Sequence, residues 1–188
     1  MTFRRRRLPH WSPDDAAIFL TWRLHGTLPE PKPEWQRLPE GKRFAAEDRA
    51  LASSTAPRFL ANPKVAACVS KTIQYGADHL HLYDLHAWVV MPNHVHLLID
   101  PKVPLSQVTH SVKTYSAREA NQILNRSGQT FWAIEAYDHW VRSLREFESI
   151  IRYIEFNPVS AGLVANPEDW RWSSAMAGQR PALLKEEA

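Results

Sequence analysis

Ala17–His25 is a mostly apolar run rich in β-branched and aromatic residues, and Gly26 halts it. The pattern predicts a first strand. Pro29, Pro31, Pro33 and Pro39 then interrupt residues 27–40, which read as a surface loop. Two alanine-rich stretches, Arg43–Ser53 and Pro63–Tyr75, carry helical periodicity on either side of a break ending at Pro57. His81–Met91 and His94–Asp100 read as two strands joined by the turn signal Pro92-Asn93, a tight hairpin. Leu105–Leu124 follows as a long helix ended by Asn125-Arg-Ser-Gly128, and Phe131–Trp140 as a fourth strand. Ser143-Leu-Arg-Glu146 has capping-box form and opens a helix from Leu144 to about Asn157, where Pro158 should stop it. Trp170 and Trp172 are expected to pack back on the body. The order is strand, helix, hairpin, helix, strand, helix, which predicts an α+β sandwich of an antiparallel sheet with helices.

Composition narrows the class. The chain has 188 residues, 44% hydrophobic, with eight Trp. That suits one domain with a real core and argues against wholesale disorder. Cys68 is the single cysteine, which excludes an intramolecular disulfide framework and a cysteine-built zinc site. No apolar run reaches the roughly 18 residues of a membrane span, and Arg4–Arg7 is followed by no apolar signal core. A cytoplasmic protein with no membrane partner is therefore expected.

The net charge of +3 comes from 23 Lys+Arg against 20 Asp+Glu. Arg4, Arg5, Arg6 and Arg7 account for it: without them the balance is 19 against 20. The basicity is a short arm on a nearly neutral body. Such an arm can hold a phosphate backbone or can be a solvated terminal run.

His94 and His96 stand two apart on a strand, so their side chains share a face, about 7 Å apart from a rise of ~3.3 Å per residue. Val95, Leu97 and Ile99 take the other face and suffice as a core side. The imidazoles can converge on one metal ion if a third ligand arrives, though by itself an HxH pair is more often hydrogen-bonded or exposed. On the last helix Leu144, Phe147, Ile150, Ile151 and Ile154 form one apolar stripe. Tyr153 and Asn157, i and i+4, lie on its flank. Each has a structural reading, a wetted aromatic and a helix-end amide. Together with the histidines they suggest a chemistry. Two His and an amide oxygen hold Mg²⁺ or Mn²⁺, the ion polarises a phosphodiester, and the tyrosine attacks phosphorus.

Two segments carry a family resemblance. Ala-Trp-Val-Val-Met-Pro-Asn-His-Val-His-Leu-Leu-Ile (87–99) resembles the His-hydrophobe-His signature of single-tyrosine HUH transposases. Arg-Tyr-Ile-Glu-Phe-Asn-Pro-Val-Ser-Ala-Gly-Leu-Val (152–164), followed by Pro-Glu-Asp-Trp-Arg-Trp-Ser-Ser, resembles the IS200-like, REP-associated tyrosine transposases. The likeness also takes in 131–142 and the opening Arg-Arg-Arg-Leu-Pro-His-Trp. It implies a ferredoxin-like sandwich of HUH-endonuclease type. It also implies a metal held by His94 and His96, the nucleophile at Tyr153, and Asn157 as third ligand. The implied activity is metal-dependent cleavage and rejoining of single-stranded DNA near hairpins or REP-type palindromes, through a 5′-phosphotyrosine.

The expected layout is a basic arm (1–16), one catalytic domain (17–175) with a loop/helix insertion at 27–62, and a polar tail (176–188). Lys113, Arg118 and His139 join the four arginines as candidate DNA contacts, although a solvated helix face or an oriented strand-end histidine explains them as well. Tyr115 and Tyr137 are rival tyrosines without an amide partner at i+4 before a helix stop. A monomer is expected. Two other readings stay open: a domesticated hairpin-binding protein without cleavage, and an ordinary metallohydrolase that shares the HxH strand.

Overall fold

A computed structural model describes residues 16–27, 33–53 and 56–176. The elements in chain order are β1 (Ile18–Leu24), α1 (Glu40–Ser53), α2 (Pro63–Asp78), β2 (Tyr83–Val90), β3 (His94–Pro101), α3 (Leu105–Ile123), β4 (Trp132–Trp140) and α4 (Leu144–Ser160). The strands form one antiparallel sheet in the order β2-β3-β1-β4. β3 is thus inserted between β1 and β2, the split βαβ arrangement of ferredoxin-like sandwiches.

Alternation along the strands decides what each sheet face does. Ile18, Leu20, Trp22 and Leu24 of β1 and Val95, Leu97 and Ile99 of β3 project to one side, where α2 and α3 cover them with Val65, Val69, Ile73, Val108 and Val112. The residues between them project to the other side. There Phe19, Ala87, Val89 and Leu98 meet Ile154 and the partly buried Phe147, Ile150 and Ile151 of α4. A β-bulge between Leu85 and Ala87 adjusts β2. Tyr83 and Leu85 before it, and Trp88 and Val90 after it, all reach the α2/α3 core, which strict alternation would forbid.

The outer edge of β2 is closed by the chain that follows α4. Val90 N–H donates to Trp172 O (2.8 Å), and Ser174 N–H donates to Trp88 O (2.9 Å). Trp170 donates its indole N–H to Val90 O (3.1 Å). Both late tryptophans pack on the body, as their position suggested.

Three expectations need correction. Residues 27–40 are not simply a loop: Pro33–Arg37 form a 3-10 turn that buries Trp35, and α1 begins at Glu40. Pro158 does not stop α4, which runs on to Ser160. A proline removes only its own N–H donor, and Ala161 N–H to Asn157 O (2.9 Å) and Leu163 N–H to Pro158 O (2.9 Å) complete the final turn. Leu144 heads the apolar stripe of α4 in sequence but is 69% exposed, because it lies in the first turn of the helix.

Close packing of α2 on β2 makes a stability prediction. A Cβ at Gly76 would lie 2.6 Å from the Tyr83 hydroxyl, which is buried and donates to Ile73 O at 2.7 Å. Gly76→Ala should destabilise the fold by about 1–3 kcal/mol in urea unfolding, despite the roughly 1 kcal/mol by which Ala is the better helix former. The cost should shrink in a Tyr83→Phe background. A Gly76→Ala protein as stable as the wild type would contradict this packing.

Candidate metal and tyrosine site

His94 and His96 lie fully buried on β3 with ring centroids 4.7 Å apart, closer than strand spacing alone suggests because the rings lean together. Each ring is oriented from behind. Asn93 donates through Nδ2 to Leu51 O (2.8 Å), which leaves its Oδ1 to accept from His94 Nδ1–H (2.7 Å). That fixes the tautomer: His94 Nε2 carries a lone pair and points inward. His96 Nδ1 is hydrogen-bonded to Thr21 Oγ1 (2.7 Å), its cross-strand partner on β1. Asn157 Nδ2 reaches His96 Nε2 at 3.2 Å. Phe19 stacks on the His96 ring from the same sheet face.

The residue that completes the cluster comes from α1. Asp48 is buried, with Oδ1 3.3 Å from both His94 Nε2 and His96 Nε2. Among the described residues, Asp48 Oδ1 and His94 Nε2 have no hydrogen-bond partner. The other oxygen, Oδ2, accepts from the Tyr153 hydroxyl and from Asn157 Nδ2 (3.0 Å). Asp48, Tyr153 and Asn157 thus meet above the histidine pair, with the Tyr153 ring 5.6 Å from that of His96.

Electrostatics follow from this burial. Desolvation pushes His94 down to about 3, against the pull of Asp48, so its imidazole is neutral at neutral pH. Burial works against the Asp48 charge, yet the attraction of His96 and His94 in their protonated forms and the hydrogen bond from the Tyr153 hydroxyl hold its carboxyl well below the usual range. Burial, then the charge and hydrogen bond of Asp48, raise Tyr153 far above an ordinary phenol; Arg49 and Asn157 offset part of this. Converging lone pairs repel one another unless a positive charge lies between them. Two imidazole nitrogens and one carboxylate oxygen within 4.8 Å of one another are a donor set that fits a divalent cation.

Arg23 borders the site. It is paired across strands with His94 on the same sheet face, and its Nε is buried without a partner among the described residues.

The structure therefore brings together four of the residues expected from sequence: His94, His96, Tyr153 and Asn157. Asn157, however, turns its amide nitrogen to the cluster, and a carboxylate stands where its oxygen was expected to ligate. Asp48 was missed. Its signal lies in its spacing: it sits four residues after Phe44 and three before Leu51, an acid on the inward stripe of α1.

The other candidates lie elsewhere. Lys113 and Arg118 are on α3, across the sheet from the histidines. Lys113 Nζ donates to Ala133 O (2.6 Å) and Ile134 O (3.1 Å), and Arg118 pairs with Glu119 beside the Tyr115 ring. His139 Nε2 meets Glu146 Oε1 at 2.9 Å, joining β4 to the start of α4. Glu146 completes a variant of the expected cap: its N–H donates to Ser143 Oγ, and its Oε2 accepts from Arg142 N–H. Tyr137 lies near the cluster but is stacked on Phe44, ring centroids 4.4 Å apart. Arg4, Arg5, Arg6 and Arg7 lie outside the described residues.

Residues 58–157 match the family described as Transposase IS200 like. The chain belongs to the IS200-like transposase family. His94, His96, Tyr153 and Asn157 fall inside the matched region; Asp48 precedes it. A curated relative, the REP-associated tyrosine transposase of Escherichia coli (strain K12), is 26% identical over 93 residues. That alignment takes in 49% of this IS200-like chain and 54% of the relative, about half the length of each. The solved structure of the REP-associated tyrosine transposase bound to a REP hairpin shares the fold. Its TM-score is 0.52 at 18% identity, covering 93% of this chain and 82% of that one. Among the described residues, no helix of this transposase-family chain is long and apolar enough to cross a membrane.

Proposed function

We propose that this IS200-like transposase is a metal-dependent single-strand DNA endonuclease and strand transferase with Tyr153 as nucleophile. One observation carries the reading: a tyrosine hydroxyl and two inward-facing imidazole nitrogens meet on a single buried carboxylate. His94, His96 and Asp48 would hold the ion, Mn²⁺ or Mg²⁺, with the two nitrogens favouring Mn²⁺. The ion, when bound, supplies Lewis-acid polarisation of a phosphodiester.

The protein's own groups do the rest. Asn93 and Thr21 fix the imidazoles from behind, as second-layer hydrogen bonds commonly do for metal-ligating histidines. Tyr153 attacks phosphorus, so that a tyrosyl O–P bond forms while the P–O3′ bond breaks. The phenol loses a proton, the departing 3′-oxygen gains one, and a 5′-phosphotyrosine and a free 3′-OH result. The ester conserves bond energy for rejoining. Arg23 beside His94 adds positive charge on the side a phosphate would approach. The hairpin component of the substrate is supported by the relatives, one named as REP-associated and one solved on a REP hairpin.

The test is incubation with end-labelled single-stranded DNA carrying a hairpin, with Mn²⁺ or EDTA. A covalent protein–DNA species that forms only with Mn²⁺, accompanied by a shorter strand ending in 3′-OH, is expected. Hairpin binding with no adduct under any divalent ion would sink the enzymatic reading and leave a binding protein. Cleavage without a covalent species would leave a metallohydrolase.

A further inference from the structure

The carboxylate of Asp48 has two oxygens with different partners, and together they span the site. Oδ1 faces both imidazole nitrogens at 3.3 Å and accepts no hydrogen bond among the described residues. Oδ2 accepts from Tyr153 and Asn157. A planar group with one edge on the ion site and the other on the phenol fixes their separation, because its O–C–O geometry does not flex. We propose that Asp48 is the positioning residue that sets the Tyr153 hydroxyl relative to the metal, one oxygen ligating and the other orienting.

Three features of this chain fit that role. Asp48 lies outside the matched family region, on α1, so it reaches the site from a different element than the histidines of β3 and the tyrosine of α4. That helix is seated from both ends of the site. Leu51 O receives the Asn93 amide that also orients His94, and Phe44 packs edge-on to Phe19 and against the Tyr153 ring. Tyr153 and Asn157 stand one α4 turn apart and donate to the same oxygen, so one carboxylate gathers the face of α4 that carries the nucleophile. Ion occupancy and tyrosine placement should then be linked reciprocally, each favouring the other.

The inference rests on the nuclease reading, but its test does not need DNA chemistry. Full-length protein carrying 3-fluorotyrosine at position 153 is titrated with MgCl₂ while the ¹⁹F resonance is followed. Mn²⁺ affinity is measured in parallel by calorimetry, for wild type and for Asp48→Asn. Asn preserves the shape of the side chain, and a melting curve of the variant checks the fold. In wild type the resonance should move with Mg²⁺ occupancy. In Asp48→Asn, Mn²⁺ affinity should fall about 10–100-fold, and the resonance should stay still even at saturating Mg²⁺. In single-turnover adduct formation at saturating Mn²⁺, this variant should be slower by about 10²-fold with DNA affinity unchanged, as expected of a misplaced nucleophile.

A wild-type resonance indifferent to Mg²⁺ would overturn the proposal. So would an Asp48→Asn resonance that still responds at saturation, which would make Asp48 a ligand only. Unchanged affinity and unchanged response in the variant would make it packing only. If wild type never forms an adduct, the nuclease reading fails by itself, while the resonance and affinity still decide the role of Asp48.

Discussion

Tyr153→Phe should lose covalent DNA adduct formation by on the order of 10⁴-fold or more, while Mn²⁺ affinity changes only a few-fold. The size follows from the role. A nucleophile that forms the intermediate has no substitute within the site, and removing one costs most of the catalysis. Phe keeps the ring that packs edge-on to Phe19 and beside Phe44, so the helix should remain seated. What disappears is one donor to Asp48 Oδ2, leaving Asn157 Nδ2 in place. A hydrogen bond to a buried carboxylate contributes about 1.5–3 kcal/mol, so a modest fall in melting temperature should accompany the loss of activity. Tyr137→Phe is the matched control, because that ring is stacked on Phe44 and should leave the adduct intact. An adduct that survives Tyr153→Phe and disappears in Tyr137→Phe would reassign the nucleophile.

The strands were legible because their chemistry is local. Ile18–Leu24 and His94–Pro101 are short apolar runs rich in β-branched and aromatic residues, each bounded by a turn signal, and the predicted limits fall within one or two residues. The long helices were legible for the same reason. Features set by neighbours were not. The bulge in β2 shows only when the register of β3 is known. The proline inside α4 reads as a stop in any single-sequence rule, because what carries the helix past it is a set of bonds from residues 161–163. The proline-rich stretch conceals Trp35, which is buried by its tertiary surroundings rather than by any periodic pattern.

At the site the same division holds. The imidazole pair and the Tyr153/Asn157 pair each sit at a spacing that defines a shared face, on β3 and on α4, so each could be read within its own element. Their convergence depends on α4 packing against the face of the sheet that carries His96, a long-range fact. Asp48 depends on a third element, α1, from a region that looked like an insertion. An isolated aspartate in a polar helix has no spacing partner to mark it, apart from its place between Phe44 and Leu51. The direction of the Asn157 amide is likewise invisible in sequence, since it is decided by what lies opposite: an acceptor, Asp48 Oδ2, draws the nitrogen inward. The charges of Lys113 and Arg118 announced basic residues on a helix, but β4 carbonyls and Glu119 were waiting for them.

Mn²⁺ should stabilise this protein strongly, and the arrangement of lone pairs says why. Without a cation, His94 Nε2 and Asp48 Oδ1 face each other buried and, among the described residues, unpartnered, a costly juxtaposition. A ligand that binds only the folded state at a hundred times its dissociation constant adds about 2.7 kcal/mol, equivalent for a chain of this size to roughly 5–11 °C in melting temperature. His96→Ala removes one of the three donors and should abolish most of that rise, and EDTA should reverse it in the wild type. The metal-free protein should also be acid-sensitive. His94 falls from 6.5 to about 3 on folding, so between those values the unfolded chain takes up a proton that the native chain refuses, and stability drops as pH falls. Asp48, held below its ordinary range, acts in the same direction at lower pH, since its carboxylate must be protonated on unfolding. Thermal melts from pH 7 to 4 in EDTA, and again with Mn²⁺, measure both effects. A melting temperature that rises equally with Mn²⁺ in wild type and His96→Ala would place the stabilising ion somewhere other than this cluster.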